Sequence, residues 1–380
     1  MPSEADSLEW RAMFPATSAC VHLDLANKAP MPIAAYDACR AYLDDIHRSI
    51  GDKDRWKEKT ESVRAKIATL LDARADEIAF TRNTSEGLNI LAQALQAQLG
   101  DNVVVYEGEH PNNLYPWINL RRRGIECRVI ARKAGPVAAE DYAMLIDART
   151  RAVAMSLVSY NTGQRLPVEA VAARCREVGS MMIVDAVQAV GVLDVRPGML
   201  GIDALACGSQ KGLLAGYGCG ILYCRGERLD RFTPAYAARA SLGVPPLQDG
   251  MIRFAATAAR FEIGNPNYMA MYALDATLGL ILQAGAARIE AAVHRRGDRV
   301  RARLAAAGWP VVSPIGPMER SGIILIDAPE AERVVASLKQ QRIIASAVDG
   351  KLRLASHLYN DDADIEALIE ALSRHRRAAS

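Results

Sequence analysis

Two residues at the ends of apolar runs are placed to do chemistry together: Asp185 closes MMIVD and Lys211 closes IDALACGSQK. In an open α/β sheet, ligands bind outside the carboxyl ends of the strands, where an acid and a lysine so placed would face each other. A lysine is by default a solvated surface charge, and an acid after a strand is often a helix cap. Here Asp185 directly follows Met181, Met182, Ile183 and Val184, and Lys211 follows the small, apolar stretch Ala204 to Ser209. Both therefore read as part-buried, and burial favours the nucleophilic free amine of a lysine. That amine could form a Schiff base with the aldehyde of pyridoxal 5'-phosphate (PLP), while the carboxylate keeps the pyridine nitrogen protonated.

Four further segments converge on this reading. In FTRNTSEGLN, Thr84 and Ser85 begin an amphipathic helix whose free amides and hydroxyls would hold a phosphate; a plain helix cap is the alternative. EGEHPNNLYPW puts His110 at a strand end, where an imidazole could stack on a flat ring. VSYNTGQRLP places Tyr160, Asn161 and Gln164 just beyond another strand end. In KLRLASHLYN, Arg353 lies on a strand and could grip a carboxylate through two parallel donors.

The elements that must position these residues follow from apolar periodicity. Asp101 to Tyr106, Glu126 to Ile130, Ala152 to Val158, Met181 to Val184, Ile202 to Cys207 and Cys219 to Cys224 read as strands. Ser85 to Leu99 puts Leu88, Leu91, Ala92, Leu95 and Leu99 on one helical face, and Val168 to Val178 forms another helix. Such alternation implies an α/β fold with a mainly parallel sheet. From about Gly285 the texture changes to an Arg- and Ala-rich helix (Ala286 to Ala307), a strand (Ile323 to Asp327), a helix, a short strand pair and a last helix (Asp361 to His375). The division expected is a large domain over 16–285 and a small one from 1–15 and 286–380.

Composition narrows the class. Over 380 residues, 46 basic and 44 acidic side chains leave +2, which gives no support to a nucleic-acid or membrane partner. Glu4, Asp6 and Glu9 stand where a secretory signal would be apolar, no run has the length of a membrane span, and a cytoplasmic protein is expected. The seven cysteines form no C-x-x-C pair and read as reduced core thiols, not as a disulfide framework or a metal site. A nucleotide-binding reading lacks a G-x-G-x-x-G or Walker loop after the first strand.

Together the segments resemble the class V aminotransferase family, in the branch of cysteine desulfurases, selenocysteine lyase and isopenicillin N epimerase. The resemblance runs from HLDLANKAP at residue 22 to the segment ending at Asn360. It implies the PLP-dependent transferase fold (fold type I), with a seven-stranded central sheet, in a homodimer with shared active sites. It also implies Lys211 as the Schiff-base lysine, Asp185 as partner of the pyridine nitrogen, Gln188 on the phenolic oxygen and His110 stacked on the ring. Thr84 and Ser85 would bind the phosphate, helped by Ser209 and Gln210, since Gln210 stands where the family often has histidine. Asn265, beside Gly264, would reach the phosphate of the other subunit. Arg353 and Asn161 would receive the amino-acid substrate.

The departures bear on function. Desulfurases read LDNAATTP where this chain reads LDLANKAP, so Asn27 and Lys28 stand near the expected substrate, and Lys28 suits an acidic or extended one. A desulfurase also needs a thiolate on a loop before the carboxylate-binding arginine. This chain passes from RIIAS to KLRLAS through only Ala347, Val348, Asp349 and Gly350. The expectation is a carbon–sulfur lyase working by β-elimination without a persulfide cysteine. A racemase or epimerase, with Tyr160, Tyr217 or His357 as second acid or base, and an aminotransferase are the alternatives.

Overall fold

The computed structural model describes residues 9–49, 51–133 and 135–379; Glu4, Asp6 and the rest of 1–8 lie outside the described residues. Seven strands form the central sheet: β1 (Ile78–Thr81), β2 (Asn102–Tyr106), β3 (Glu126–Ile130), β4 (Thr150–Ser156), β5 (Met181–Asp185), β6 (Ala204–Gly208) and β7 (Gly220–Cys224). Their order is β1-β7-β6-β5-β4-β2-β3, and only β7 runs antiparallel to its neighbours. Side chains alternate between two buried faces, which is why these runs are apolar throughout. Val103, Val105, Ala154, Ile183 and Ala206 face one core, with Leu88 and Leu91 of α3 (Thr84–Ala94) and Trp117 of α4 (Pro111–Asn119). Val104, Val153, Met182, Val184 and Leu205 face the other, with Val171 and Cys175 of α5 (Val168–Val178) and Leu274 of α6 (Tyr268–Ala284). Two long helices, α1 (Ile33–His47) and α2 (Lys53–Leu71), pack beside α6.

Two differences from the sequence reading have local causes. Strand β1 was not anticipated: IAFT is four residues long and flanked by Asp76, Glu77 and Arg82, so it carries almost no pattern. Helix α3 stops at Ala94, and Leu99, expected on its apolar face, is 86% exposed. The chain leaves the helix there because Leu95 bridges to Phe232 and the Gln96 amide donates to the Arg231 carbonyl at 3.2 Å.

A second, antiparallel sheet has the order β8-β10-β9, from β8 (Ile323–Ile326), β9 (Ser346–Val348) and β10 (Lys351–Ala355). Ile324, Ile326, Leu352 and Leu354 share a third core with α7 (Ala286–Ala306), α8 (Ala331–Gln340) and α9 (Asp362–Ala379). Asp349 and Gly350 join β9 to β10 with φ of 47° and 70°, the left-handed pair that a tight two-residue hairpin turn requires. The N-terminal segment belongs to this sheet's surroundings: Val21–His22 pairs with Ile343–Ile344, and Asp24 bridges to Ala355. Among the described residues no single helix is long and apolar enough to cross a membrane.

Candidate active site

Asp185 is the last residue of β5, in register with Ser156 of β4 and Ala206 of β6. Burial pushes its pKa up to about 6, although the Val187 amide at 3.0 Å and the charge of Lys211 favour the ionised form. Lys211 lies three residues past β6 in a compact turn, closed by Leu214 N–H to the Lys211 carbonyl (2.9 Å) and Ala215 N–H to that of Ser209 (3.0 Å). The turn rests on a glycine pair. A Cβ on Gly191, whose φ is +84°, would lie 2.3 Å from the Gly212 oxygen, so only glycine allows the backbone contact beneath Lys211. Burial brings the Lys211 amine down to about 8; Asp185 and Asp24 oppose this, and Arg353 adds to it.

The opposite wall rises where β2 and β4 diverge, since β3 lies on one side of β2 and β4 on the other. His110 is the N-cap of α4, and its Nδ1 accepts the Asn112 amide at 3.2 Å, so the neutral ring carries its proton on Nε2. Burial, then Lys211 and Arg353, lower its pKa, which keeps the ring neutral. Tyr160 meets it edge-on at 5.0 Å. Arg353 donates through Nε to Ser346 Oγ and through Nη1 to the Tyr160 carbonyl, both at 3.1 Å, and its Nη2 lies 3.7 Å from the buried carboxylate of Asp24. Lys211, Asp185, His110 and Arg353 are thus one electrostatic group.

Thr84 is buried at the start of α3, and its Oγ1 has no hydrogen-bond partner among the described residues. A Cβ on Gly208 would lie 3.0 Å from that hydroxyl and 2.3 Å from Gln210 Oε1, so this glycine leaves a cradle around both. Ser85 is part-buried beside Thr84. Gln188 donates through Nε2 to the Ala26 carbonyl at 2.9 Å and has a second N–H left.

Other expected residues stand differently. Ser209 is corrected: it is fully buried and its hydroxyl points to the Gly216 and Cys219 carbonyls, at 2.7 and 3.0 Å, so its proton holds the following loop. His357 is corrected as a proton donor or acceptor: it is fully buried, its Nε2 is 2.9 Å from the Gly191 carbonyl, and burial lowers its pKa to about 4. Tyr217 is 65% exposed. Gln164 is structural, bonded at both ends of its amide to the backbone of Val137. Asn161 is buried and donates to Asp349 at 2.9 Å. Asn27 and Lys28 are exposed on the loop after Asp24. Asn265 is exposed, and within this chain its only hydrogen-bond partner among the described residues is Tyr268.

The family described as Aminotransferase class-V matches residues 21–368. The chain belongs to this family. It is 30% identical over 361 residues to an uncharacterized aminotransferase of Schizosaccharomyces pombe, covering 92% of this chain and 90% of that one. The apo structure of a cysteine desulfurase from Thermococcus onnurineus NA1 superposes with a TM-score of 0.89 at 25% identity, covering 100% of both chains. A C-DES mutant with glycine covalently linked to its PLP cofactor superposes at 0.86 with 24% identity, over 95% of this chain and 98% of that one. The fold is therefore that of the cysteine desulfurase structure.

The residues present fit PLP, the cofactor to which glycine is linked in that C-DES mutant. An anion at the start of α3 would partner the orphaned Thr84 hydroxyl and the first-turn amides not taken by the Asn83 cap, which accepts from the Glu86 amide at 2.9 Å. Sequence reasoning missed Asp24, Glu109, and the pair Arg132 and Asp349. Asp24 sits inside HLDLAN and Glu109 inside EGEHP, and an acid within a short apolar or turn segment carries no period that marks it as buried.

Proposed function

We propose that this class-V enzyme is a carbon–sulfur lyase: it removes the α-proton of a cysteine-type amino acid and expels the sulfur substituent by β-elimination, with no persulfide on the protein. PLP, when bound, supplies the electron sink for charge developing at the α-carbon. Arg353 holds the substrate carboxylate, and the Lys211 Nζ takes the α-proton as general base. When PLP binds, Asp185 would partner the pyridine nitrogen, His110 would cover the ring, Gln188 would donate its spare N–H to the phenolic oxygen, and Thr84, Ser85 and Gln210 would hold the phosphate.

The observation that carries the absence of persulfide chemistry is the turn before Arg353. Asp349 accepts from Asn161 Nδ2 at 2.9 Å and from Arg132 Nη1 at 3.2 Å, which fixes a two-residue turn where a thiol-bearing loop would have to be. The cysteines offer no substitute. Cys20 and Cys39 donate to the carbonyls of Ala16 and Met269, and the other five are buried. Burial, and then the negative charge of Asp185, raise the pKa of Cys207 and keep it a thiol.

Aminotransfer is the second reading, favoured by the yeast relative's description. Racemisation loses His357 from its three candidate acids and bases. One experiment separates these outcomes: the PLP-loaded protein is given L-cysteine, L-cystine and other L-amino acids in heavy water, with and without a 2-oxo acid to accept the amino group. Release of sulfur, ammonia and keto acid in equal amounts supports elimination; keto acid without ammonia indicates aminotransfer, and loss of optical rotation alone indicates racemisation.

The phosphate assignment has its own check. Thr84→Val keeps shape and removes one hydroxyl. Hydrogen bonds to charged groups contribute about 1.5–3 kcal/mol, so the variant should bind PLP at least roughly tenfold more weakly. Without cofactor its melting temperature should hold or rise, because an orphaned buried hydroxyl is gone. Equal PLP affinity would remove Thr84 from the site. We further read the chain as one half of a homodimer: Ile33, Tyr36 and Leu43 leave α1 with an exposed apolar side, and a monomer in sedimentation would refute this.

A further inference from the structure

Glu109 is 4% exposed and precedes His110 in the turn that ends β2. Its Oε1 accepts the Ser156 amide at 2.8 Å, and its Oε2 accepts Asn113 Nδ2 at 3.0 Å and the Ser156 hydroxyl. The Ser156 bond explains why the carboxylate is there. Strand β2 pairs with β4 only as far as Val105 with Ala154. Beyond that point the chain turns away, with the Glu109 amide on the Tyr106 carbonyl at 3.1 Å, and β4 would be left with an unpaired inward N–H. The Glu109 side chain returns to satisfy it, standing where β2 would otherwise have continued.

We propose that Glu109 is a positioning residue of the cofactor site: its carboxylate holds open the crevice between the ends of β2 and β4 and fixes His110 at the height from which the imidazole covers the PLP ring. The proposal rests on the reading of this crevice as the PLP site. Both neighbours of the carboxylate are site elements. Ser156 lies in register with Asp185, and Asn113 takes part in the first turn of α4, its amide donating to the His110 carbonyl at 2.7 Å. Burial raises the pKa of Glu109 to about 7 despite three donors, and Asp185 adds to the rise. The titratable groups facing it are Asp185, Tyr106 and Tyr142.

The polarity of the network makes glutamate necessary. Trp117 Nε1 donates to Asn113 Oδ1 at 3.3 Å, which turns the Asn113 amine toward residue 109 and demands an acceptor there. A second acceptor oxygen is needed for the Ser156 amide. Glutamine has only one, so Glu109→Gln must lose one tie while keeping volume; Glu109→Ala loses all three.

The test is PLP binding by the purified full chain, read as affinity and as circular dichroism in the absorption band of the bound cofactor, which reports how the ring is held. Glu109→Ala should weaken PLP binding roughly tenfold or more, as loss of a residue supporting a ligand does elsewhere, and should reduce the dichroism. Glu109→Gln should fall between it and the native protein. If both variants match the native affinity and dichroism, Glu109 is only a core strut and the proposal is overturned, whatever happens to the melting temperature. If Glu109→Ala does not fold, the Glu109→Gln comparison alone decides. A native protein with no PLP band would instead sink the cofactor site itself.

Discussion

Lys211→Ala is expected to abolish covalent retention of PLP and to reduce α-proton exchange by at least about a thousandfold, within the 10²–10⁴-fold range of general acid–base catalysis. The argument is positional. Lys211 is held by a turn whose backbone rests on Gly191, and among the described residues its amine forms no ion pair that would hold it protonated. Asp185 and Asp24 stabilise the ammonium from a distance, yet burial outweighs them and brings the pKa to about 8. The sign follows: above pH 8 the amine is free and attacks an aldehyde, and below it the ammonium does not. Incorporation of PLP into the apo protein should therefore accelerate with rising pH to a midpoint near 8, well below the 10.5 of an ordinary lysine. Borohydride reduction followed by mass spectrometry measures both results. A cofactor mass retained on Lys211→Ala, or on another lysine of the native chain, would remove Lys211 from its role.

The expected acid and lysine meet because each closes a run with unambiguous pattern. MMIVD up to its closing acid and ALACG throughout carry no polar side chain, a signature of strands covered on both faces, and sequence order then puts Asp185 and Lys211 at neighbouring strand ends. Where an element is short, or where direction matters, that logic fails. IAFT is too brief to register as β1, and nothing in GILYC announces that β7 runs antiparallel. Residue type also misled where a hydroxyl or ring had a second possible partner. Ser209 was expected to donate outward, but the carbonyls of Gly216 and Cys219 lie closer to hand once the loop folds back. His357 follows Arg353 by four residues, yet β10 ends at Ala355 and the chain buries the ring against Gly191. Glu109 stayed hidden because its task, completing β4 from the side, exists only after the strands are paired.

Arg353→Gln should lower kcat/KM for an amino acid by roughly 30- to 5,000-fold, the range for removing one partner of a buried, hydrogen-bonded charge pair, 2–5 kcal/mol. The guanidinium is buried, and Ser346 and the Tyr160 carbonyl orient it, while its Nη2 carries no hydrogen bond among the described residues and is directed by Asp24 at 3.7 Å. A planar carboxylate can use that edge; a glutamine can offer at most one N–H, and Arg353→Lys one point charge without the fork. Part of the loss comes from the surroundings, since the Asp24 carboxylate would remain buried with Ser346 and Asn27 as its hydrogen-bond partners among the described residues. The control is a substrate whose carboxylate is replaced by an amide. If Arg353 reads the carboxylate, native protein and variant should process the amide at similar rates and differ only with the acid, while the PLP spectrum of the variant stays native. An equal loss with both substrates would reduce Arg353 to a strut between Tyr160 and Ser346, and an unchanged KM for the acid would place carboxylate recognition elsewhere.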